Sequence, residues 1–168
     1  MKVLLISLLS FITFADNYSE RGKEALLPLK KSLMKELKAG LKSHGAMGAL
    51  KVCNIKAMDI TDSKSTKKYK VGRSSLKNRN PKNAPSPWMS KALIDYEKTK
   101  SKKPRVIRID SDKTAYVEPI YLKGLCLTCH GGQISSSLKK EINSLYPLDK
   151  ATGYKAGDFR GIFWVEFN

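Results

Sequence analysis

Residues 126–130 read Cys-Leu-Thr-Cys-His, a CxxCH motif. Two thiols at this spacing can add to the two vinyl groups of haem as thioethers, and the adjacent histidine then offers an imidazole nitrogen to the iron. A thioredoxin-like CxxC is the main alternative, and it needs a βαβ setting in which the motif opens a helix. Here the motif follows a predicted strand and precedes Gly131 and Gly132. The sequence therefore predicts one covalent c-type haem, held by Cys126 and Cys129 and ligated by His130.

Few other residues are available as a second axial ligand, because the chain has three cysteines and two histidines. This inventory does not form a Cys₄ or Cys₂His₂ zinc site and is too small for a disulfide scaffold. Cys53 follows small residues at one-turn helical spacing, which would let a flat macrocycle approach the backbone. A buried cysteine packed as a small hydrophobe fits the same pattern, and spacing alone favours that reading. The other candidates are His44, Met34, Met47, Met58 and Met89.

The N-terminus predicts export. Residues 1–15 contain one lysine, an apolar run and a small residue, Ala15, before Asp16, which is typical of a secretory signal peptide. The apolar run is shorter than the roughly 20 residues of a membrane span, although an uncleaved anchor stays the alternative. We expect a single domain over residues 16–168 and a periplasmic location, where a bare CxxC would tend to oxidise.

The charge of the chain is strongly positive, with 32 basic and 15 acidic residues and a net charge of +17. Lysine supplies 26 of the basic residues, whereas nucleic-acid readers favour arginine forks, and no nucleic-acid-binding motif is present. We therefore expect no nucleic-acid partner. Solvated lysine-rich faces are the simplest interpretation. The alternative interpretation is functional: the positive charge would allow docking to an acidic redox or signalling protein, or contact with an anionic membrane surface.

The elements that must position the motif can be read from periodicity and turn residues. Their order, long helices and then strands mixed with short helices, predicts an α+β fold around an antiparallel sheet. A helix beginning at Ser86 and Pro87 should bury Leu93, Ile94 and Tyr96. The other predicted segments are a helical pattern over 19–57 weakened at Gly40, Gly45 and Gly48 (two helices or one kinked helix), a polar loop over 61–70, an extended segment over 69–74, a rigid Asn/Pro-rich loop over 77–87, strands over 105–110, 114–122 and 161–167, and a helix over 135–145.

Several blocks of the chain occur in an order that resembles a family of exported c-type haem proteins with a PAS-like sensor fold. The resemblance covers residues of about 25 to 168. The matching blocks are Val52 to Ala57, Gly72 to Pro81, Asn83 to Pro85, Pro87-Trp88, Glu118 to Ile120, Cys126 to Gly131, Tyr146-Pro147 with Asp149, Ala151 to Tyr154, and Gly157 to Gly161.

This resemblance implies a PAS-like antiparallel sheet and two axial ligands, His130 on one face of the haem and the sulfur of Cys53 on the other. Haem propionates need cationic or hydrogen-bond-donating partners, and Arg73, Arg79 and Lys77 are the candidates. A structural hydrogen-bond network explains a loop arginine equally well. Trp88 and Tyr154 are candidates to pack on the macrocycle, with core packing as the alternative.

Two classes of function compete for such a protein. The first is a non-enzymatic redox sensor, sensor of a small gas such as CO or NO, or electron-transfer module. The second is a haem enzyme such as a peroxidase, which needs an open sixth position and a distal acid–base group. Only His44 could be a distal histidine, and a six-coordinate iron would block peroxide. We therefore expect no enzymatic activity.

Overall fold

The computed structural model describes the backbone of residues 6–168 and the side chains from Ala15 onward. Except for Ala15, the predicted signal peptide lies outside the residues whose side chains are described. No described helix is both long enough and apolar enough to cross a membrane. The helices are α1 Ile6–Ile55, α2 Ala57–Asp62, α3 Pro87–Thr99, α4 Leu127–His130 and α5 Ser136–Leu145, and the strands are β1 Tyr69–Ser74, β2 Arg105–Arg108, β3 Thr114–Tyr121 and β4 Phe159–Phe167.

The four described strands form one antiparallel sheet in the order β1-β4-β3-β2, with helices on both faces. Leu26 and Leu29 of α1 pack on the face that carries Tyr116 and Val165. The opposite face is covered by α3, in a cluster of Met89, Ala92, Leu93, Tyr96, Val117 and Ile162. Because both faces are covered, Thr114 to Val117 are all buried instead of alternating. The predicted α+β fold with an antiparallel sheet is confirmed.

The first helix reverses direction at His44 and Gly45, whose backbone angles are not helical. In a straight helix Gly40 and Ala49 would lie about 13 Å apart along the axis. A Cβ atom built on Gly40 would instead lie 2.8 Å from the Cα of Ala49, and Lys56 reaches back to Glu36 at 2.9 Å. Residues 46–55, which we call the return segment, therefore fold back along the preceding part of α1. The predicted kink is confirmed.

Helix α3 begins where the sequence predicted, with Ser86 as N-cap and Pro87 as first residue. The Ser86 hydroxyl makes no capping hydrogen bond, however, and is buried without a partner among the described residues. The expectation for Ile94 is wrong, because Leu93 and Tyr96 are fully buried whereas Ile94 is 57% exposed. Ile94 lies about 100° around the helix from Leu93, which turns it towards solvent.

Helix α1 begins at Ile6, well before the predicted start at residue 19. The boundaries of the predicted strands and of α5 agree with the sequence prediction to within about two residues, and one helix was not predicted. The expected polar loop over 61–70 begins later, because α2 occupies Ala57–Asp62 directly after the return segment. The buried Thr61 hydroxyl donates to the carbonyl oxygen of Ala57 inside this short helix. The return segment also packs on α5, where Leu50 contacts Leu138 and Ile142.

The reversal of α1 generates a prediction for Gly40→Ala. The added methyl would force the return segment away, so we expect the free energy of unfolding to fall by about 1–3 kcal/mol, as for other overpacked positions. Urea denaturation measures it. Gly132→Ala is the matched control, since a Cβ there meets no atom within 4 Å. Equal or greater stability of Gly40→Ala would contradict the close approach of the two segments.

Candidate functional site

A cavity of about 300 Å³ lies where α1, the loop after β1, the sheet edge and the CxxCH segment meet. One wall is apolar and comes from both segments of α1, including Leu33, Leu37 and Leu50. The CxxCH residues and polar residues of the Asn-rich loop also line the cavity. The predicted residues that line it are Cys53, Arg73, Arg79, Cys126, Cys129 and His130.

The CxxCH segment is a 3₁₀ turn over Gly124–Cys126 that runs directly into the single helical turn α4. Residues three apart lie on the same side of such a turn, so Cys126 and Cys129 both reach the cavity. Both are free thiols. Burial raises the pKa of the Cys129 thiol, with nearby Arg79 acting in the opposite direction. The local backbone thus places two unpaired thiols and an imidazole on one wall.

The ring of His130 is held by the backbone of a distant segment. Its Nδ1 lies 2.7 Å from the carbonyl oxygen of Ala151. A carbonyl only accepts, so Nδ1 carries the hydrogen and Nε2 keeps its lone pair, the arrangement typical of a metal-ligating histidine. Burial lowers the pKa of His130 to about 4, and the positive charges of Arg79 and Arg160 add to the shift. The imidazole is therefore neutral at physiological pH.

A buried ion pair positions the same segment. Arg79 Nη2 donates to the carbonyl oxygen of Cys129 at 2.6 Å, to Asp149 Oδ2 at 3.0 Å and to the carbonyl oxygen of Ala151 at 3.3 Å. Asp149 Oδ1 in turn accepts from the Ala151 amide at 2.8 Å. The amide of Tyr154 donates to the carbonyl oxygen of His130 at 3.0 Å. Residues 149–154 thereby form an outer layer that fixes the CxxCH turn.

Cys53 comes to the cavity from the return segment of α1. Its thiol is partly buried, and burial raises its pKa, while the positive charges of Arg73 and Arg79 oppose that shift. Asn54, the next residue, interacts with the hydroxyl of Tyr146. Cys53 thus shares one cavity with His130, although the two residues belong to elements far apart in sequence.

Two arginines provide positive charge at the cavity besides Arg79. Burial lowers the pKa of both Arg73 and Arg160, yet a guanidinium stays protonated at neutral pH. Arg160 Nη1 donates to the Ser75 hydroxyl at 2.6 Å. The Nε atoms of Arg73 and Arg79 are buried with no hydrogen-bond partner in the described part of the chain. Buried donors of this kind are stabilised by an anionic acceptor.

Other predicted residues lie elsewhere. Trp88 is not brought to the cavity, because it packs edge-on against Trp164 on the α3 side of the sheet and donates to Glu166 at 3.2 Å. Lys77 lies over the ring of Tyr154 and donates to the carbonyl oxygen of Thr152. His44 is exposed at the kink. Of the four methionines considered, two line the cavity, Met34 and Met58, and two pack in hydrophobic clusters, Met47 and Met89.

Sequence reasoning missed the roles of Asp149, Ala151, Tyr146 and Arg160. All four lie in blocks that carry the family resemblance, but spacing along the chain gives none of them a function. Asp149 offered one signal, since it is the only acidic residue between Glu141 and Asp158 in a strongly basic chain. An isolated carboxylate in such a segment favours a specific partner, which is Arg79.

Together these features define an α+β protein with a helix-covered antiparallel sheet and one cavity that combines thiols, an imidazole and guanidinium groups. A sequence profile of the Tll0287-like family matches residues 10–168, so the chain belongs to the Tll0287-like family. The chain also shares its fold with the solved structure of the cyanobacterial heme-protein Tll0287, with a TM-score of 0.59 and 23% sequence identity. That match covers 83% of this chain and 90% of the cyanobacterial one. Comparison with curated proteins gave no match.

The buried state of His130 predicts a pH dependence of stability in the haem-free chain. Its pKa falls from an ordinary 6.5 to about 4 on folding. Between these values the unfolded chain binds a proton that the folded chain does not bind. The free energy of unfolding therefore falls as the pH is lowered from about 6.5 to about 4, and this contribution is constant below that range.

Urea denaturation of a Cys126→Ser/Cys129→Ser chain at several pH values measures this effect. Adding His130→Gln should flatten the profile between pH 6.5 and 4. Adding His44→Gln, at the exposed kink, is the matched control and should leave the slope as it is. If the His130 and His44 variants had equal slopes, the burial of His130 would not be the cause.

Proposed function

We propose that the chain is an exported, periplasmic c-type haem protein that works as a redox or diatomic-gas sensor or as an electron-transfer module, not as an enzyme. Haem is attached through Cys126 and Cys129, and its axial ligands are His130 and Cys53. The observation that carries the proposal is the convergence of these four residues on one cavity, with the Nδ1 proton of His130 already directed away to Ala151.

The chemistry of the cavity fits this cofactor. Its lining is mainly apolar, as a macrocycle requires, and its charged residues include Arg73 and Arg160. The unpartnered buried Nε atoms of Arg73 and Arg79 are donors suited to the carboxylates of haem propionates. No cluster of three or more His, Cys, Asp or Glu side chains suited to a bare metal ion occurs among the described residues. The donor set proposed for the iron is one nitrogen, from His130, and one sulfur, from Cys53.

Bound haem supplies a one-electron Fe(III)/Fe(II) couple. The role of His130 is to offer Nε2, with its ring orientation fixed by Ala151. The role of Cys53 is to offer an anionic sulfur, which stabilises Fe(III) over Fe(II) and lowers the reduction potential. Arg73 and Arg160 neutralise the propionates. Arg79 also positions the CxxCH turn, because its Nη2 is occupied by Asp149 and two backbone carbonyls, while its Nε stays available as a donor.

The sensor interpretation draws on where Cys53 lies. It belongs to the return segment, which is joined to the rest of α1 by the non-helical residues His44 and Gly45. Release of the sulfur on reduction would open a coordination position to a small gas such as CO or NO. The return segment is the element that would then shift, in the manner of a PAS-like sensor with two states. The peroxidase alternative gains no support, because His44 is exposed and absent from the cavity lining.

Covalent attachment is tested with Cys126→Ala/Cys129→Ala expressed with a secretion signal and the haem-maturation machinery. We expect the exported wild type to keep haem through acid–acetone extraction and denaturing gels, and the double variant to lose it, because no thioether can form. Cys53→Ala is the matched control and should keep the covalent haem. Extractable haem in the wild type would contradict the c-type assignment.

Distal ligation is tested by redox titration followed by absorption spectra. In Cys53→Ala we expect a changed ferric spectrum, faster CO or NO binding, and a midpoint potential that moves upward within the roughly 0.8 V that axial ligands span. Met58→Leu is the matched control, since Met58 carries another sulfur atom that lines the cavity, and the spectrum of this variant should be that of the wild type. A wild-type spectrum in Cys53→Ala together with a changed spectrum in Met58→Leu would assign the sulfur ligand to Met58.

A further inference from the structure

The opening of the cavity exposes two apolar side chains. Met34 on α1 and Leu125 in the 3₁₀ turn both line the cavity, and they are 47% and 54% exposed. Thr128 of α4 also lines it and is exposed. These side chains mark the place where a partner could come nearest to a group held inside.

Exposed lysines adjoin this opening from three separate elements. Lys31, Lys35 and Lys38 lie within one turn of Met34 on α1. Lys123 precedes Leu125 by two residues, and Lys82 lies between Asn80 and Asn83, which both line the cavity. We call these five lysines, together with Met34 and Leu125, the mouth rim. Lys30 is left out of the rim, because it pairs with Glu118.

Two of the three segments that form the rim lack acidic residues. Residues 63–94 and 119–140 contain no Asp or Glu. On α1 the acidic residue nearest to Met34 is Glu36, and Lys56 pairs with it at 2.9 Å. The positive charge of the chain is thus not balanced around the opening, so the potential there attracts an anionic partner.

We propose that the mouth rim is the docking surface for a soluble electron-transfer protein that carries an acidic patch beside its own redox centre. This inference rests on the proposed function. The lysines steer the approach, and Met34 and Leu125 form the short apolar contact. One electron would then pass from the reduced partner to the haem held in the cavity: the partner would be oxidised by one electron and the ferric haem reduced by one.

A protein partner fits this rim better than a membrane surface. Membrane-surface helices bury an apolar face rich in aromatic residues and leucine. The large exposed hydrophobic residues among the described side chains include no aromatic residue, and only two of them lie at the opening. A small apolar centre within a charged border is typical of transient protein contacts.

The test compares two charge reversals of equal size. Lys35→Glu/Lys123→Glu changes the rim, and Lys91→Glu/Lys98→Glu is the matched control on exposed positions of α3, across the sheet. The probe is a reduced acidic flavodoxin mixed with the ferric protein in a stopped-flow instrument. At low ionic strength we expect the second-order rate of the rim variant to fall about tenfold, and that of the control much less. The difference should vanish at high salt.

Equal losses in the two variants would show that only the net charge matters and would overturn the proposal. Binding to phosphatidylglycerol vesicles is measured in parallel, and loss of vesicle binding by the rim variant with an unchanged flavodoxin rate would assign the rim to a membrane instead. The haem content of each sample is determined. Calorimetric titration with flavodoxin measures docking directly, and this measurement does not require bound haem. A chain lacking haem would thus overturn the proposed function, while the titration would still decide the docking surface.

Discussion

The ion pair between Arg79 and Asp149 joins the three segments on which the site depends. Its side chains are only 10% and 4% exposed, and removing one partner of such a buried pair costs about 3–5 kcal/mol. Arg79 also donates a hydrogen bond to the carbonyl oxygen of Cys129, and Asp149 accepts one from the amide of Ala151. Ala151 then accepts from His130. One buried pair therefore fixes both the course of the CxxCH turn and the position of the carbonyl group that orients its imidazole.

The second constraint is the reversal of α1. Without the bend at His44 and Gly45, the return segment would continue away from the sheet and Cys53 could not reach the cavity. The close approach at Gly40 and Ala49 keeps the two segments together, and α5 supports the return segment from behind through Leu50. The same α5 cluster also packs against Cys129, so one helix supports both the return segment and the CxxCH turn.

Much of the local structure could be predicted because it follows from neighbouring residues. The extended segment at Tyr69–Ser74, the Ser86-Pro87 helix start and the kink in α1 all reflect backbone preferences that act within a few residues. Ile94 was misplaced because three apolar residues close together do not reveal which side of the helix will be covered. Trp88 of α3 was a cofactor candidate by residue type, yet its partner Trp164 lies on β4, so only the folded protein could separate it from the cavity.

By itself the sequence determined the chemistry that is available: two thiols and an imidazole within five residues, a single further cysteine, and a large excess of lysine. It determined these because spacing within one helical turn needs no tertiary contact. Only the tertiary structure decided that Cys53 joins the cavity, that Arg79 positions the CxxCH turn, that Arg73 and Arg160 line the same cavity, and that the cavity opens among lysines. Those outcomes depend on contacts between residues tens of positions apart, such as Arg79 with Asp149, and such contacts leave no periodic trace along the chain.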